Sequence, residues 1–156
     1  MQEKLCFLIG HREADAALYD VLYREIERHI REKDVTDFLV GHYGGFDRLA
    51  VRVLQNIRQR YPQTRLFLLL PYHPAGQPVE IPAGFAGSWY PPGMEEVPRR
   101  YAIVRANRCA VERAQYLIAG VWHPASNAQK LVEYARRRER QGKIAVTVLH
   151  KPGAGC

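Results

Sequence analysis

The sequence predicts an α/β fold of Rossmann-like type, with three layers, α/β/α, around a mainly parallel sheet of about five strands. Two patterns indicate this fold. Short apolar segments alternate with amphipathic helical segments along almost the whole chain, as in successive βαβ units. Several of the apolar segments are apolar on both faces, as residues 67–70 (Phe-Leu-Leu-Leu) show. Strands of this kind are buried in parallel sheets, so we expect helices on both sides.

The strands are predicted from apolar runs that stop at glycine or proline. The first run ends at Gly10, the second at Gly41, and the third, the most apolar of the chain, at Pro71. Two further runs lie in the second half of the chain. The five predicted strands cover residues 4–9, 36–40, 65–70, 115–122 and 143–149, and a short additional strand is expected near residues 87–90.

The helices are predicted from apolar residues that recur every three or four positions. In the first helix Leu18, Leu22, Ile26 and Ile30 are four residues apart, which places them on one face. The second helix is expected to end before Pro62, because the residue before a proline avoids the α region. The four predicted helices cover residues 15–33, 47–60, 99–113 and 127–140.

The length and composition predict a single domain that covers residues 1–156. Residues 72–98 form a proline-rich loop within it, long enough to predict a functional or mobile segment. No run of 18 apolar residues could span a membrane, and the first residues lack the pattern of a signal peptide. Three cysteines without metal-binding spacing favour a reducing compartment. We therefore expect a cytoplasmic protein with no metal site and no cofactor.

The formal net charge of +7 suggests a nucleic-acid partner, because clustered Lys and Arg displace the counterions of phosphates. The distribution of the charges favours solvated helix faces instead. Arg and Glu alternate over residues 24–32, and the Arg cluster at residues 136–140 lies near the end of a predicted helix, where cations interact favourably with the helix dipole. Nucleic-acid binding therefore ranks last among the functional hypotheses.

Glycines and polar residues directly follow the first two predicted strands, where open parallel sheets bind their ligands. A glycine pair before a helix lets the backbone approach a ligand, and the helix N-terminus offers N–H groups to an anion. Arg12 could hold a phosphate through two parallel hydrogen bonds. The candidate ligand-binding residues are Gly10, His11, Arg12, Gly41, Gly44, Gly45, Phe46 and Asp47. An alternative of equal weight is that Gly44 and Gly45 only make a tight turn and that Asp47 caps the helix.

A second set of candidates follows the predicted strand 115–122. Ser126 or Asn127 could cap the next helix and donate to a ligand oxygen, although capping alone explains them equally well. His123 has no identifiable partner, so it is not assigned a catalytic role. Cys6 and Cys109 lack the neighbours that activate a thiol nucleophile.

Three stretches of sequence, with two later segments, carry a family resemblance. They read FLIGHR from residue 7, GGFDRLA from residue 44 and YAIVRANRCAVERAQYLIAG from residue 101, and the segments LVEYARRR and GKIAV follow. In their order and spacing they resemble the SLOG superfamily, which includes the Smf/DprA DNA-processing proteins and the LOG phosphoribohydrolases, and in particular its YpsA-like bacterial branch. The resemblance implies a Rossmann-like sheet and a nucleotide-related ligand near the strand ends.

The LOG enzymes supply further candidate residues and show where this chain departs from them. Residues 126–133, SNAQKLVE, correspond to the Gly-Gly-x-Gly-Thr-x-x-Glu phosphate motif of those enzymes and keep only Glu133. Side chains larger than glycine obstruct a close backbone approach, although Lys130 could supply charge. The catalytic Arg and the following Lys of LOG enzymes correspond to Asn107 and Arg108, and an asparagine carries no positive charge. These departures argue against a standard LOG reaction.

Three functions follow from these patterns. The first is binding or sensing of a nucleotide-like or phosphorylated small molecule, with the candidates above around the ligand. The second is cleavage of the N-glycosidic bond of a nucleoside monophosphate, with Glu133 as general base or charge stabiliser and Arg12 or Arg108 on the phosphate. An exposed helix carboxylate beside Arg136 and Arg137 explains Glu133 at least equally well. The third is DNA binding. No membrane partner is expected, and the apolar helix faces are also compatible with a homo-oligomer.

Overall fold

The computed structural model describes residues 4–13, 15–121 and 126–150, and the strands in these ranges form one parallel sheet. In chain order they are β1 (Leu5–Gly10), β2 (Asp37–Val40), β3 (Arg65–Leu69), β4 (Gly87–Trp89), β5 (Tyr116–Gly120) and β6 (Ala145–Val148). Across the sheet the order is β4-β3-β2-β1-β5-β6, and each neighbouring pair is parallel. The predicted Rossmann-like α/β class is confirmed, with six strands in the described ranges instead of about five.

Helices connect the strands and cover both faces of the sheet. They are α1 (Leu18–Lys33), α2 (Gly45–Arg60), α3 (Ala102–Arg113) and α4 (Asn127–Arg140), and single 3₁₀ turns cover Met94–Glu96 and Arg99–Tyr101. The helices α1 and α2 pack on one face of the sheet, and α3 and α4 pack on the other. None of the helices in the described ranges has the length and apolar character needed to cross a bilayer.

The starts of three helices differ from the predicted ones. The first was expected at residue 15, but the Asp15 carbonyl accepts from the Leu18 N–H over 2.9 Å in a turn, and the helix begins after it. The second begins two residues earlier than predicted, at Gly45. The predicted helix 99–113 begins as the 3₁₀ turn and becomes α-helical at Ala102.

Alternation of the side chains along β1 divides the core into two parts. Cys6 and Leu8 belong to the core beneath α1 and α2, whereas Phe7 and Ile9 belong to the core beneath α3 and α4. All four residues are at most 6% exposed. Burial of both faces explains why this strand reads as one continuous apolar run in the sequence.

The proline-rich segment 72–98 is attached to the edge of the sheet by its own strand. The N–H of Leu70 donates to the Trp89 carbonyl over 2.9 Å, and the N–H of Ala86 donates to the Leu66 carbonyl over 2.8 Å. The short strand expected near residues 87–90 is thus confirmed as β4. The three residues of β4 therefore attach the proline-rich segment to the sheet.

The order of the strands reverses at β1. The strands β2, β3 and β4 are added one after another on one side of β1, whereas β5 pairs with its other side and β6 follows. The chain leaves β1 toward the α1–α2 layer and leaves β5 toward the α3–α4 layer, so β1 lies at the point where ligands of open parallel sheets usually bind.

Candidate functional site

A cavity of about 650 Å³ lies beyond the carboxyl ends of β1 and β2, between the loops that follow them and the helices α3 and α4. Ligand sites in proteins typically measure about 300–1,000 Å³. Widely separated parts of the chain bring predicted site residues to this cavity. Those that line it are Gly10, His11, Arg12, Gly41, Gly44, Asp47, Asn107, Arg108, Ser126, Asn127 and Lys130.

Three predicted site residues do not line the cavity. Gly45 and Phe46 form the first positions of α2, and Phe46 is only 1% exposed. Glu133 is exposed on another face of α4, where it borders a shallow depression together with Arg136 and Arg140. The reason is helical geometry, since each residue is rotated by about 100° from the one before it. N-glycosidic cleavage by Glu133 therefore has no geometric support in this cavity.

The ring of Phe46 explains two glycines at the strand ends. Gly10 and Gly120 are partners in the register of β1 and β5. A Cβ atom at Gly10 would lie 2.2 Å from Cγ of Phe46, and one at Gly120 would lie 2.9 Å from its Cε2 atom. Phe46 therefore packs against the strand ends from the α1–α2 side and supports the floor of the cavity. The candidate ligand residue Phe46 has a packing role that the sequence did not indicate.

The backbone amides expected to face an anion at the start of α2 are already bonded within the protein. The N–H of Gly45 donates to the Arg12 carbonyl over 2.6 Å, and the N–H of Phe46 donates to the His11 carbonyl over 3.2 Å. Gly44 permits this approach, because a Cβ atom there would lie 3.1 Å from Cα of Arg12. The glycine pair thus joins two loops, and these two N–H groups do not bind a ligand.

Asp47 places a half-buried carboxyl group at the cavity. Its Oδ2 atom accepts from the Tyr43 N–H over 3.0 Å, and a Cβ atom at Gly41 would lie 3.0 Å from the same oxygen. Burial raises the pKa of Asp47 to about 6, and the Tyr43 N–H and the charge of Arg48 oppose this effect only in part. The carboxyl group therefore changes its charge close to neutral pH.

The opposite wall of the cavity is formed by one face each of α3 and α4. On α4, Ser126 is the N-cap and its Oγ accepts from the Gln129 N–H over 3.0 Å, so the predicted capping role is confirmed. The cavity-facing positions of α4 are Asn127, Ala128, Lys130, Leu131, Tyr134 and Arg137, and those of α3 are Ile103, Val104, Asn107 and Arg108. Positions in each set recur at intervals of three or four residues, which is the spacing of one helix face. This spacing could have identified Tyr134 and Arg137, which were not among the predicted site residues.

Tyr134 holds arginine side chains at this wall. The guanidinium carbon of Arg108 lies 4.5 Å from the centre of the Tyr134 ring, and that of Arg137 lies 5.6 Å from it. The Tyr134 hydroxyl donates to Oε2 of Glu112 over 2.5 Å, which fixes the ring. Cations are attracted to the face of an aromatic ring at these distances, so the two guanidinium groups share one support.

The proline-rich segment reaches the cavity through Gln77. Its Nε2 atom donates to the hydroxyl of Tyr43, which lines the cavity, over 3.2 Å. The Arg99 guanidinium donates in turn to Oε1 of Gln77 over 2.6 Å and lies 4.4 Å from the centre of the Tyr72 ring. Tyr43 is thus a further lining residue that was not among the predicted ones, and no local pattern connects it with residue 77.

Comparison with known proteins supports the fold and gives no information about a ligand. No family model matches the sequence, and no curated protein is significantly similar to it. The X-ray structure of DNA processing protein A (DprA) from Streptococcus pneumoniae matches 93% of this chain with a TM-score of 0.65 and 17% sequence identity. This chain has a DprA-like fold. It covers 50% of the DprA chain, so it spans about half the length of that protein. The DprA-like fold implied by the SLOG resemblance is confirmed, and the YpsA-like branch stays a prediction.

Proposed function

We propose that this chain binds a phosphorylated, nucleotide-like small molecule in the cavity beyond the carboxyl ends of β1 and β2. The observation that carries the proposal is the gathering of four cationic side chains in one cavity at the switch point of a parallel sheet. The cations are Arg12, Arg108, Lys130 and Arg137. Arginine binds phosphate oxygens through paired hydrogen bonds, and lysine binds them as a point charge.

The remaining lining residues suit the other parts of a nucleotide. Ile103, Val104 and Leu131 offer apolar surface beside the cations, which favours a flat ring of limited polarity. Asp47 presents a carboxyl oxygen that can accept from a sugar hydroxyl. A carboxyl group that is costly to ionise in the folded state is typical of a functional site, because selection for stability alone would remove it.

Isothermal titration calorimetry with a panel of nucleoside mono- and diphosphates tests the proposal. At least one of them is expected to bind, and at 100 times its dissociation constant it should stabilise the protein by about 2.7 kcal/mol in thermal unfolding. Arg108→Gln removes one charge-assisted hydrogen bond and is expected to weaken binding roughly tenfold to a hundredfold.

The matched control is Arg52→Gln, which removes an exposed arginine from α2 away from the cavity. It should leave the dissociation constant unchanged. If no nucleotide binds, or if Arg52→Gln and Arg108→Gln weaken binding equally, the proposal is wrong.

A second candidate function, binding of nucleic acid, is favoured by the unequal charge of the two helix layers. Residues 99–113 and 127–140, on the α3–α4 side, contain ten Lys and Arg against three Glu, a net charge of +7. Residues 18–33 and 45–60, on the α1–α2 side, contain eight Lys and Arg against five acidic residues, a net charge of +3. A basic patch on one face is typical of proteins that bind phosphate backbones. The similar fold of DprA, a DNA processing protein by its title, points to the same class of partner.

Fluorescence anisotropy with a single-stranded oligonucleotide at several salt concentrations tests this second function. The double variant Arg100→Gln/Arg105→Gln removes exposed charges of the α3–α4 layer that do not line the cavity. It is expected to weaken binding and to reduce the slope of log K against log salt by about 2. The control, Arg52→Gln/Arg58→Gln on α2, should have little effect. Equal losses in the two double variants would contradict binding by the α3–α4 layer.

A further inference from the structure

We infer that the ligand carries two adjacent phosphate groups and that Arg108, Lys130 and Arg137 hold this diphosphate on the wall formed by α3 and α4. The inference deepens the proposed function and rests on it. It names the chemical class of the ligand as a nucleoside diphosphate or a compound with the same diphosphate group.

The first observation is the separation of charge across the cavity. Among the described residues that line the α3–α4 wall, three are cationic and none is a carboxylate. On the opposite side, in the loop after β1 and at the start of α2, the two carboxyl groups of the cavity, Glu13 and Asp47, outnumber the one cation, Arg12. The anionic part of a ligand is therefore directed to the α3–α4 wall, and its hydroxyl-bearing part to Asp47.

The second observation is that the N–H groups predicted to face an anion at the start of α2 are already bonded within the protein. In this chain the N–H groups of Gly45 and Phe46 donate to the carbonyls of Arg12 and His11. A phosphate at the start of α2 would have to break these bonds and would lie beside the carboxyl group of Asp47. The α3–α4 wall, with three cations and no carboxylate, therefore suits both phosphate groups better than a division between the two walls.

The third observation is the amount and the arrangement of positive charge on that wall. A terminal phosphate carries about two negative charges near neutral pH. Three cations carry more charge than one phosphate group neutralises, and a second phosphate group neutralises the remainder. Arg108 and Arg137 stand 4.5 and 5.6 Å from one ring, that of Tyr134, and Lys130 lies one helical turn before Tyr134 on the same face of α4. Like charges gathered in this way repel one another, and a multiply charged anion between them removes the repulsion.

Calorimetry on the full chain with inorganic pyrophosphate and inorganic phosphate tests the inference, and neither probe requires the base of the nucleotide to be known. Pyrophosphate is expected to bind at least about tenfold more tightly than phosphate, since each additional charge-assisted hydrogen bond contributes about this factor to the affinity. Arg137→Gln and, independently, Arg108→Gln should reduce the preference to about twofold. The control Arg140→Gln, on the same helix but outside the cavity, should leave the preference unchanged.

Tyr134 is a positioning residue in this account, and two variants separate its roles. Tyr134→Phe keeps the ring and loses only the hydrogen bond to Glu112, so the preference for pyrophosphate should persist. Tyr134→Leu removes the ring that supports both guanidinium groups and should lower the preference as the arginine variants do. Circular dichroism of each variant confirms that it is folded before titration.

The outcomes distinguish this inference from the proposed function. Equal affinities for phosphate and pyrophosphate, together with binding of a nucleoside monophosphate, would overturn the diphosphate and leave the proposed function intact. A preference for pyrophosphate that survives both Arg108→Gln and Arg137→Gln would also overturn it. If phosphate, pyrophosphate and every nucleotide fail to bind, the proposed function fails as well.

Discussion

The clearest quantitative prediction concerns Asp47, whose substitution by asparagine should stabilise the protein at alkaline pH. Asparagine is nearly isosteric, and its amide oxygen can still accept from the Tyr43 N–H that Oδ2 of Asp47 accepts now. What the substitution removes is the charge. Burial raises the pKa of this carboxyl group from 3.8 to about 6, so the folded protein carries an ionised group that it holds less favourably than the unfolded chain does.

The magnitude follows from proton linkage. At about 1.4 kcal/mol for each pH unit, the difference between 3.8 and about 6 corresponds to about 3 kcal/mol of lost stability at pH 8. Because the pKa is higher in the folded state, the favourable contribution of the protonated carboxyl group is fully present below pH 3.8 and is lost as the pH rises through 6. Allowing for the cost of burying an amide, we expect Asp47→Asn to raise the free energy of unfolding by about 1–2 kcal/mol at pH 8. The gain should be about 2 kcal/mol smaller at pH 4.5.

Urea unfolding at pH 4.5 and pH 8, followed by circular dichroism, measures both quantities. The matched control is Asp20→Asn, which makes the same change at an exposed carboxylate in the first turn of α1. There the loss of a favourable interaction with the helix dipole should lower stability by about 0.5 kcal/mol at pH 8. A less stable Asp47→Asn at pH 8, or a difference from the wild type that is independent of pH, would refute the reasoning.

Three further predictions concern the fold that holds the site. Gly10→Ala should lower the free energy of unfolding in urea by about 2–3 kcal/mol, because its Cβ atom would lie 2.2 Å from Cγ of the buried Phe46 ring. Gly87→Ala is the control and should change stability little, because a Cβ atom there would have no neighbour within 4 Å. Equal effects of the two substitutions would contradict this packing. His29 is fully buried and its pKa is lowered mainly by desolvation, so the wild type should lose stability as the pH falls below 6.5. His29→Leu should lose less stability between pH 7 and pH 5, and thermal unfolding at the two pH values measures the difference. Ser126→Ala removes the N-cap of α4 and should lower the free energy of unfolding by about 1 kcal/mol, and an unchanged value would exclude a stabilising cap.

Much of the architecture could be predicted from local patterns. The apolar run that ends at Gly10 and the four-residue spacing from Leu18 to Ile30 depend only on which side chains face the core, so β1 and most of α1 were expected where they lie. The proline-rich segment was harder to predict, because β4 is only three residues long and is defined by its pairing with β3. A strand of this length carries little periodicity, so its presence was expected near residues 87–90 but its bounds follow only from that pairing.

The candidate site could be predicted in part. Residues directly after strands, such as Arg12 and Gly41, were expected to meet because the carboxyl ends of parallel strands lie along one edge of a sheet. The role of Glu133 was inferred from a motif and stays a prediction, but the rotation of α4 turns this residue away from the cavity. Tyr134 and Arg137 share a helix face with Lys130, but the sequence alone did not say that this face meets the cavity.

The amino-acid sequence by itself determined the alternation of strands and helices, the burial of both sheet faces and the placing of polar residues at strand ends. These properties follow from side-chain size, hydropathy and turn preferences that act over a few residues. Only the tertiary structure decided which groups were left to meet a ligand. The N–H of Gly45 is taken by the carbonyl of Arg12, and the space above Gly10 and Gly120 is filled by Phe46. Such competition for space and for hydrogen bonds involves residues far apart in the chain, and no local pattern records it.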